Sequence, residues 1–207
     1  MKEKKYELAD KLRSYISKYG IEDFDKEHLK KEGITPEELK ANYKSREDMV
    51  KVILEYERKC FEEVFDEYNF DGWNAIDIFL LVGQEINDRF FNVSPSITMT
   101  FAKIFPEIYE EHLQMRSDFI YEKIKINIEK GMQQGMYRQD ISSEMIARKY
   151  ITKLNDIHNP EIYPPNSFTF ATIFNNLIDN VIKNITNEEG RQYYKQRKQL
   201  YSILNFR

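Results

Sequence analysis

"GITPEELKANYKSRED", residues 33–48, holds a turn and two helix starts. Gly33 supplies a bend that tolerates positive φ. Thr35 can accept from backbone N–H groups at the start of a helix, and Pro36 stands at the first helical position, where its missing N–H costs nothing. Glu38, three residues after Thr35, completes a Thr-x-x-Glu capping box. Ser45 opens a further helix with Glu47 and Asp48 in its first turn, where acids offset the exposed N–H groups. Turn, short helix and following helix have the layout of a helix-turn-helix. Glu37 and Glu38, however, put two acids at the start of the helix that would meet nucleic acid.

Upstream, "FDKEHLKKEG" reads as a short helix capped by Asp25 and ended at Gly33. Leu8, Leu12, Tyr15, Ile16 and Tyr19 keep to one face of an earlier helix that stops at Gly20. Downstream, Met49, Ile53, Tyr56, Cys60 and Val64 carry the Ser45 helix to about Tyr68, where "NFDG" breaks it. Between Trp73 and Lys103 only Asp77, Glu85, Asp88, Arg89 and Lys103 are charged, so helices there are expected to be buried on more than one side. Pro106 interrupts or kinks the chain before a long helix reaching Met132, and "GMQQGMYRQDIS" makes a bend. Ser142 or Ser143 then caps "SEMIARKYITKLNDIH". After the loop "NPEIYPPNS" comes "FTFATIFNNLIDNVIKNI".

These two late helices bring Met145, Tyr150 and Leu154, and Phe170, Phe174, Leu177 and Val181, to helical spacing. They are expected to form an antiparallel pair with a broad apolar face, suited to a core or to a partner helix pair. The tail after Gly190 is basic: Arg191, Lys195, Arg197, Lys198 and Arg207 face no acid. Interleaved Tyr193, Tyr194, Leu200, Tyr201, Ile203 and Leu204 predict an amphipathic helix packing back on the body.

Composition agrees with an all-α chain. It has 207 residues, 41% hydrophobic and 32% charged, with 7 Gly and 6 Pro, enough to close a substantial core. Fourteen Phe and fourteen Tyr suggest a thick aromatic core or a ring-lined cavity. A net charge of −4 excludes a generally basic, nucleic-acid-coating protein, though not a local basic face. The single cysteine, Cys60, leaves no intramolecular disulfide and fits a reducing compartment. "MKEKKYELADKL" lacks the apolar run of a signal peptide, and no stretch approaches the roughly 18 apolar residues of a membrane span. The expectation is a cytoplasmic protein with no membrane partner.

The order of parts resembles the tetracycline-repressor-like (TetR) family of bacterial regulators. Helix one ending "SKYG", the turn Gly33-Ile34-Thr35 and "LKANYKSREDMV" are similar to the family's Gly-Val-Ser turn, Leu-Tyr-x-Tyr/His-Phe stretch and Ser-Lys-Glu-x-Leu start. Leu39 matches its buried Leu, Tyr43 its packing aromatic, and Ser45, Arg46, Glu47 and Met49 the opening of helix four. Later, "EKGMQQGMYRQDISSEMIARKYITKL" and "NITNEEGRQYY" look like its Gly-x-x-x-Gly-x-x-Arg passage and the segment after its last helix. There are departures. Leu29 is followed by Lys30 and lies one residue closer to Gly33 than the family's anchor, so His28 or Leu29 must serve. Lys40 stands where a Tyr contacts DNA backbone, and Asn42 where a Tyr or His follows; both can still donate to phosphate.

The resemblance implies an N-terminal three-helix domain with a helix-turn-helix, residues 1–48, followed by a larger helical effector-binding and dimerisation domain, residues 49–207. It implies a ligand-responsive regulator, a repressor released from double-stranded operator DNA by a small apolar or aromatic effector. Thr35, Pro36, Lys40, Asn42, Tyr43, Lys44 and Arg46 would face DNA. Phe90, Phe101, Phe105, Tyr109 and Phe119 would line the effector site, and the two late helices would build a homodimer through Met145, Tyr150, Leu154, Phe170, Phe174, Leu177 and Val181.

Charge argues the other way. From Lys26 to Arg46 six bases meet four acids, and across residues 1–58 the two signs are equal, which is weak for a domain gaining affinity from phosphate neutralisation. The competing expectation is a helical ligand-binding or interaction protein whose helix-turn-helix no longer reads DNA. No catalytic, cofactor or metal site is expected: His28, His112 and His158 have no metal-ligand spacing, Cys60 sits at an apolar helical position, and there is no phosphate-cradling Gly loop.

Overall fold

The computed structural model describes residues 2–22, 24–90, 95–157, 159, 161–164 and 166–204, without the side chains of residues 2–4, 90, 95–99 and 201–204. Within these the chain is all-α, with ten helices in order: α1 (Lys2–Tyr19), α2 (Lys26–Lys31), α3 (Pro36–Asn42), α4 (Arg46–Glu67), α5 (Ala75–Phe90), α6 (Pro95–Ile104), α7 (Pro106–Gln133), α8 (Ser143–Asp156), α9 (Phe170–Ile185) and α10 (Glu188–Leu204). Pro106 splits the sixth from the seventh helix, standing at the first position of α7. Ser142, rather than Ser143, caps α8 by accepting from Met145 N–H.

The chain divides into two compact units. Unit 1 comprises Met1–Glu63 and Phe90–Arg116, and unit 2 comprises Val64–Arg89 and Ser117–Arg207. The division falls inside α4 and α7, so each helix belongs partly to both. The compact body that holds the first three helices is therefore larger than residues 1–48, because it also takes in most of α4, α6 and the start of α7.

In unit 1 the core is built from Leu8, Leu12, Tyr15 and Ile16 of α1, Leu29 of α2, and Met49, Val50, Ile53 and Leu54 of α4, with Phe101 of α6 sealed among them. Phe105 and Tyr109 pack against it. Buried charge lies beside this core: Glu57 and Arg116 pair at 3.7 Å, and Arg58 Nη1 lies 3.0 Å from His112 Nδ1. The other imidazole nitrogen, Nε2, lies 3.8 Å from Glu57 Oε1.

Unit 2 is built from α5, α8, α9 and α10 with the later parts of α4 and α7. Ala75, Ile76, Asp77, Ile78 and Phe79 are consecutive buried residues, so the first turns of α5 are enclosed on every side. The bend after α7 is fixed by Tyr137, which is fully buried and donates to Asn127 Oδ1 at 3.1 Å. Its ring lies where a Cβ on Gly131 would stand, 2.1 Å away, which is why the chain carries glycine there. Arg138 N–H then donates to Ile185 C=O at 2.9 Å, pinning the bend to the end of α9.

The tail forms α10 and packs back on unit 2, but its bases do meet acids. Arg197 grips Asp77 through Nε (2.6 Å) and Nη2 (3.0 Å), Tyr193 donates to the same carboxylate at 2.6 Å, and Lys198 and Tyr194 both bond Asp179. Arg191 reaches Glu188 at 3.9 Å. The expectation of an acid-free tail fails because the partners of Arg197 and Lys198 come from α5 and α9.

Candidate nucleic-acid interface and effector cavity

The α2–α3 element is organised by caps at both starts. Asp25 accepts from Glu27 and His28 N–H, both at 2.9 Å, and begins α2. Leu29 is 1% exposed and is the anchor, whereas His28 is half-buried and stacks on Tyr19 with centroids 4.2 Å apart. Gly33 turns the chain at φ +66°, a conformation that costs a side-chain-bearing residue, and Ile34 is buried just after it. Thr35 Oγ1 accepts from Glu38 N–H at 3.2 Å while Glu38 accepts from Thr35 N–H at 2.9 Å. Glu38 thus spends its carboxylate on the helix start.

The seven residues expected to face DNA meet different fates. Thr35 is exposed within the capping box, and Pro36 is half-buried at the first helical position. Asn42 turns its amide back to Glu38 C=O at 2.9 Å. Tyr43 is buried, its hydroxyl directed to Lys5 C=O at 3.4 Å, and burial with Asp48 nearby pushes it up to about 12, so it stays protonated. Arg46 is exposed but donates to Glu22 C=O at 2.6 Å. Lys40 and Lys44 are exposed, and no acid among the described residues pairs with either side chain. Glu37 shares the exposed side of α3.

The expected effector residues are not brought together. Phe101, Phe105 and Tyr109 belong to the packing of unit 1, Phe119 belongs to unit 2, and the side chain of Phe90 lies outside the described residues. Unit 2 nevertheless holds a cavity of about 40 Å³. Its walls are Ile78, Phe79, Val82, Gly83 and Ile86 of α5, Phe65 of α4, and Ile124 of α7, closed by Tyr150, Phe174 and Ile178. Two polar residues of α7, Lys123 and Asn127, complete it. Asn127 is already committed, donating to Ala75 C=O at 2.9 Å and accepting from Tyr137. Lys123 Nζ stands 4.8 Å from the centre of the Phe65 ring and 5.2 Å from that of Phe119.

Two residues expected at a dimer face, Tyr150 and Phe174, therefore line this cavity, and Leu154 is buried as well. Of the rest, Met145 is 56% exposed and Phe170, Leu177 and Val181 are half-buried. A second hollow, about 230 Å³, lies between α8 and α9 and the segment joining them, with Leu177, Tyr163 and Phe168 in its walls. Helical periodicity marks these positions as apolar but does not say which of them point into their own unit.

Chemistry elsewhere is sparse. No group of three or more His, Cys, Asp and Glu among the described residues could hold a metal, and His158 lies outside them. Burial pushes the Cys60 thiol up, keeping it protonated and poorly nucleophilic. No described helix is long and apolar enough to cross a membrane.

No protein-family model matches the sequence, and no curated protein resembles it in sequence. Solved structures do match. A TetR-family transcriptional regulator from Agrobacterium tumefaciens superposes with a TM-score of 0.67 at 12% identity, over 90% of this chain and 100% of that one. One assigned to the same family, from Rhodococcus sp., gives 0.61 at 13% identity over 90% and 100%. A ketosteroid transcriptional regulator from Mycobacterium tuberculosis gives 0.54 at 14% identity over 89% and 96%. The fold is that of TetR-family regulators: an N-terminal helix-turn-helix followed by a larger helical region.

Proposed function

We propose that the chain is a dimeric transcriptional regulator that reads double-stranded DNA with α3 and answers to a small molecule held in unit 2. The α2–α3 element carries this reading. Leu29, Ile34 and Tyr43 hold its inner side in the core, and its outer side offers Thr35, Lys40 and Lys44. One exposed lysine on a short helix after a tight turn and another just past its end suit the phosphates flanking a major groove. Met145, Leu177 and Val181 supply the part of the α8–α9 pair left for a second copy. Effector binding acts on α4 and α7, whose N-terminal parts belong to unit 1. A ligand that favours an arrangement unsuited to the operator releases it, giving repression relieved by effector.

The test is a titration of the full chain against duplexes from the region flanking its own gene, at several salt concentrations, with random duplex as competitor. A regulator shows a preferred duplex and affinity falling steeply with salt. Absence of binding at low salt, or equal competition by random duplex, overturns the reading.

A specific observation favours a second reading, a helical ligand-binding or interaction protein that does not bind DNA. Asn42, Tyr43 and Arg46, three of the seven expected contacts, have their polar groups on backbone carbonyls within unit 1, while Glu37 is exposed on α3. This reading predicts effector binding in unit 2 with no duplex preference in the same titration.

A further inference from the structure

We propose that the ligand of the unit 2 cavity is an anion, an apolar alkyl or aryl body ending in a carboxylate that ion-pairs with Lys123. The inference rests on the reading of unit 2 as effector-binding and goes beyond it by fixing the charge and polarity of the ligand. The walls are apolar except for Lys123 and Asn127, with Tyr150 among the lining rings. Asn127 has its amide nitrogen on Ala75 and its oxygen on Tyr137, so it has little left to offer a ligand.

Lys123 is different. Positions three and four residues away on α7 hold Phe119, Ile120, Ile126 and Asn127, so its own helix gives it no acid at pairing distance. No carboxylate among the described residues pairs with it, and it rests over Phe65 and Phe119. Lys59, Lys153, Lys183 and Lys198 all reach carboxylates. A half-buried ammonium over ring faces gains more from a carboxylate in the same half-dry setting, and an incoming anion exchanges the weaker partner for the stronger.

Tyr150, which also lines the cavity, carries a hydroxyl that can donate to a ligand. It is 4% exposed, its hydroxyl has no hydrogen-bond partner among the described residues, and burial raises it so that it keeps its proton. The available polar groups are an ammonium and a phenol. A carboxylate can accept from both, an alcohol loses the charge term, and an amine meets like charge. At about 40 Å³ the cavity holds a water or two, so a ligand must displace the rings that now carry the lysine.

The test uses the purified full chain without DNA and three probes of one shape, 4-phenylbutyrate, 4-phenylbutanol and 4-phenylbutylamine, titrated by calorimetry. The carboxylate is expected to bind roughly tenfold or more tighter than the alcohol, since hydrogen bonds to charged groups are the strong ones, and the amine most weakly. Lys123→Met should bring carboxylate and alcohol to parity while Lys123→Arg retains the preference, and Tyr150→Phe should weaken the carboxylate a few-fold. Equal binding of carboxylate and alcohol, or a preference that survives Lys123→Met, overturns the proposal and leaves an effector site for neutral ligands standing. Failure of all three probes to bind overturns both the proposal and the effector reading.

Discussion

The α2–α3 element and the unit 2 cavity both hold lysines without a described acid partner, in opposite settings. Lys40 stands in water on a short, tightly capped helix and Lys44 just past its end. Lys123 is half-buried over two rings beside space that the side chains leave open. A charge in water acts by number and is screened by salt; a charge in a dry recess acts singly and selects. The first region can meet a polyanion by summing weak contacts, and the second can meet one anion by excluding others.

Truncations in the packed core of unit 1 and at the cavity wall of unit 2 should differ in cost. Leu12→Ala in the sealed core of unit 1 is expected to lose about 4–5 kcal/mol, near the top of the range for such changes, because its neighbours cannot follow. Ile178→Ala, at the cavity wall, is expected to lose about 2–3 kcal/mol. Its neighbours already lack contacts on one side, where the cavity lies. Urea unfolding followed by circular dichroism measures both, and equal losses would remove the contrast.

On α3 the expected effects are smaller and depend on salt. Lys40→Ala and Lys44→Ala should each weaken duplex binding about tenfold at low salt and reduce the slope of log affinity against log salt by about one. Glu37→Gln should move binding a few-fold the other way, because it removes an acid from the same exposed side. Slopes left unchanged by both lysine variants would place the phosphate contacts elsewhere or nowhere.

The cap beneath those lysines should matter to folding. Thr35→Ala removes the acceptor for Glu38 N–H and is expected to cost about 1 kcal/mol, read as a lowered unfolding midpoint.

What was legible in the sequence follows the same contrast. The capping box at Thr35, the turn at Gly33 and the Asp25 cap are settled by residues within four positions of one another, so pattern alone finds them. The choice between His28 and Leu29 was not, because either could face inward until Tyr19 takes the imidazole. The cavity draws on positions from Phe65 to Ile178, and no local period announces that five helices converge there. Tyr150 and Phe174 stand at apolar helical positions and line the cavity, because a face pointing into its own unit has the same spacing as one offered to a partner. Lys123 did leave a trace, a cation with Ile120 and Phe119 three and four residues before it and no acid at either spacing.

The tail tests the long-range part of that lesson with the smallest effect. Tyr193 and Arg197 meet Asp77 across 116 and 120 residues, and no sequence pattern pairs positions so far apart. Asp179 makes the parallel contact on α9, and its state can be followed by pH. Desolvation raises its carboxyl, but hydrogen bonds from Lys198, Tyr194 and Lys183 outweigh it and hold the group at about 2 against an ordinary 3.8. A carboxyl lowered by folding stabilises the folded state above its unfolded value and loses that contribution as pH falls through the folded one. The native chain should therefore shed stability between about pH 4 and pH 2 that Asp179→Asn does not shed, while at pH 7 the variant should already be the less stable of the two. Thermal unfolding of both at pH 7, 4 and 2.5 measures the difference. A gap that fails to narrow on acidification would mean that the α9–α10 contact rests on Tyr194 packing rather than on charge.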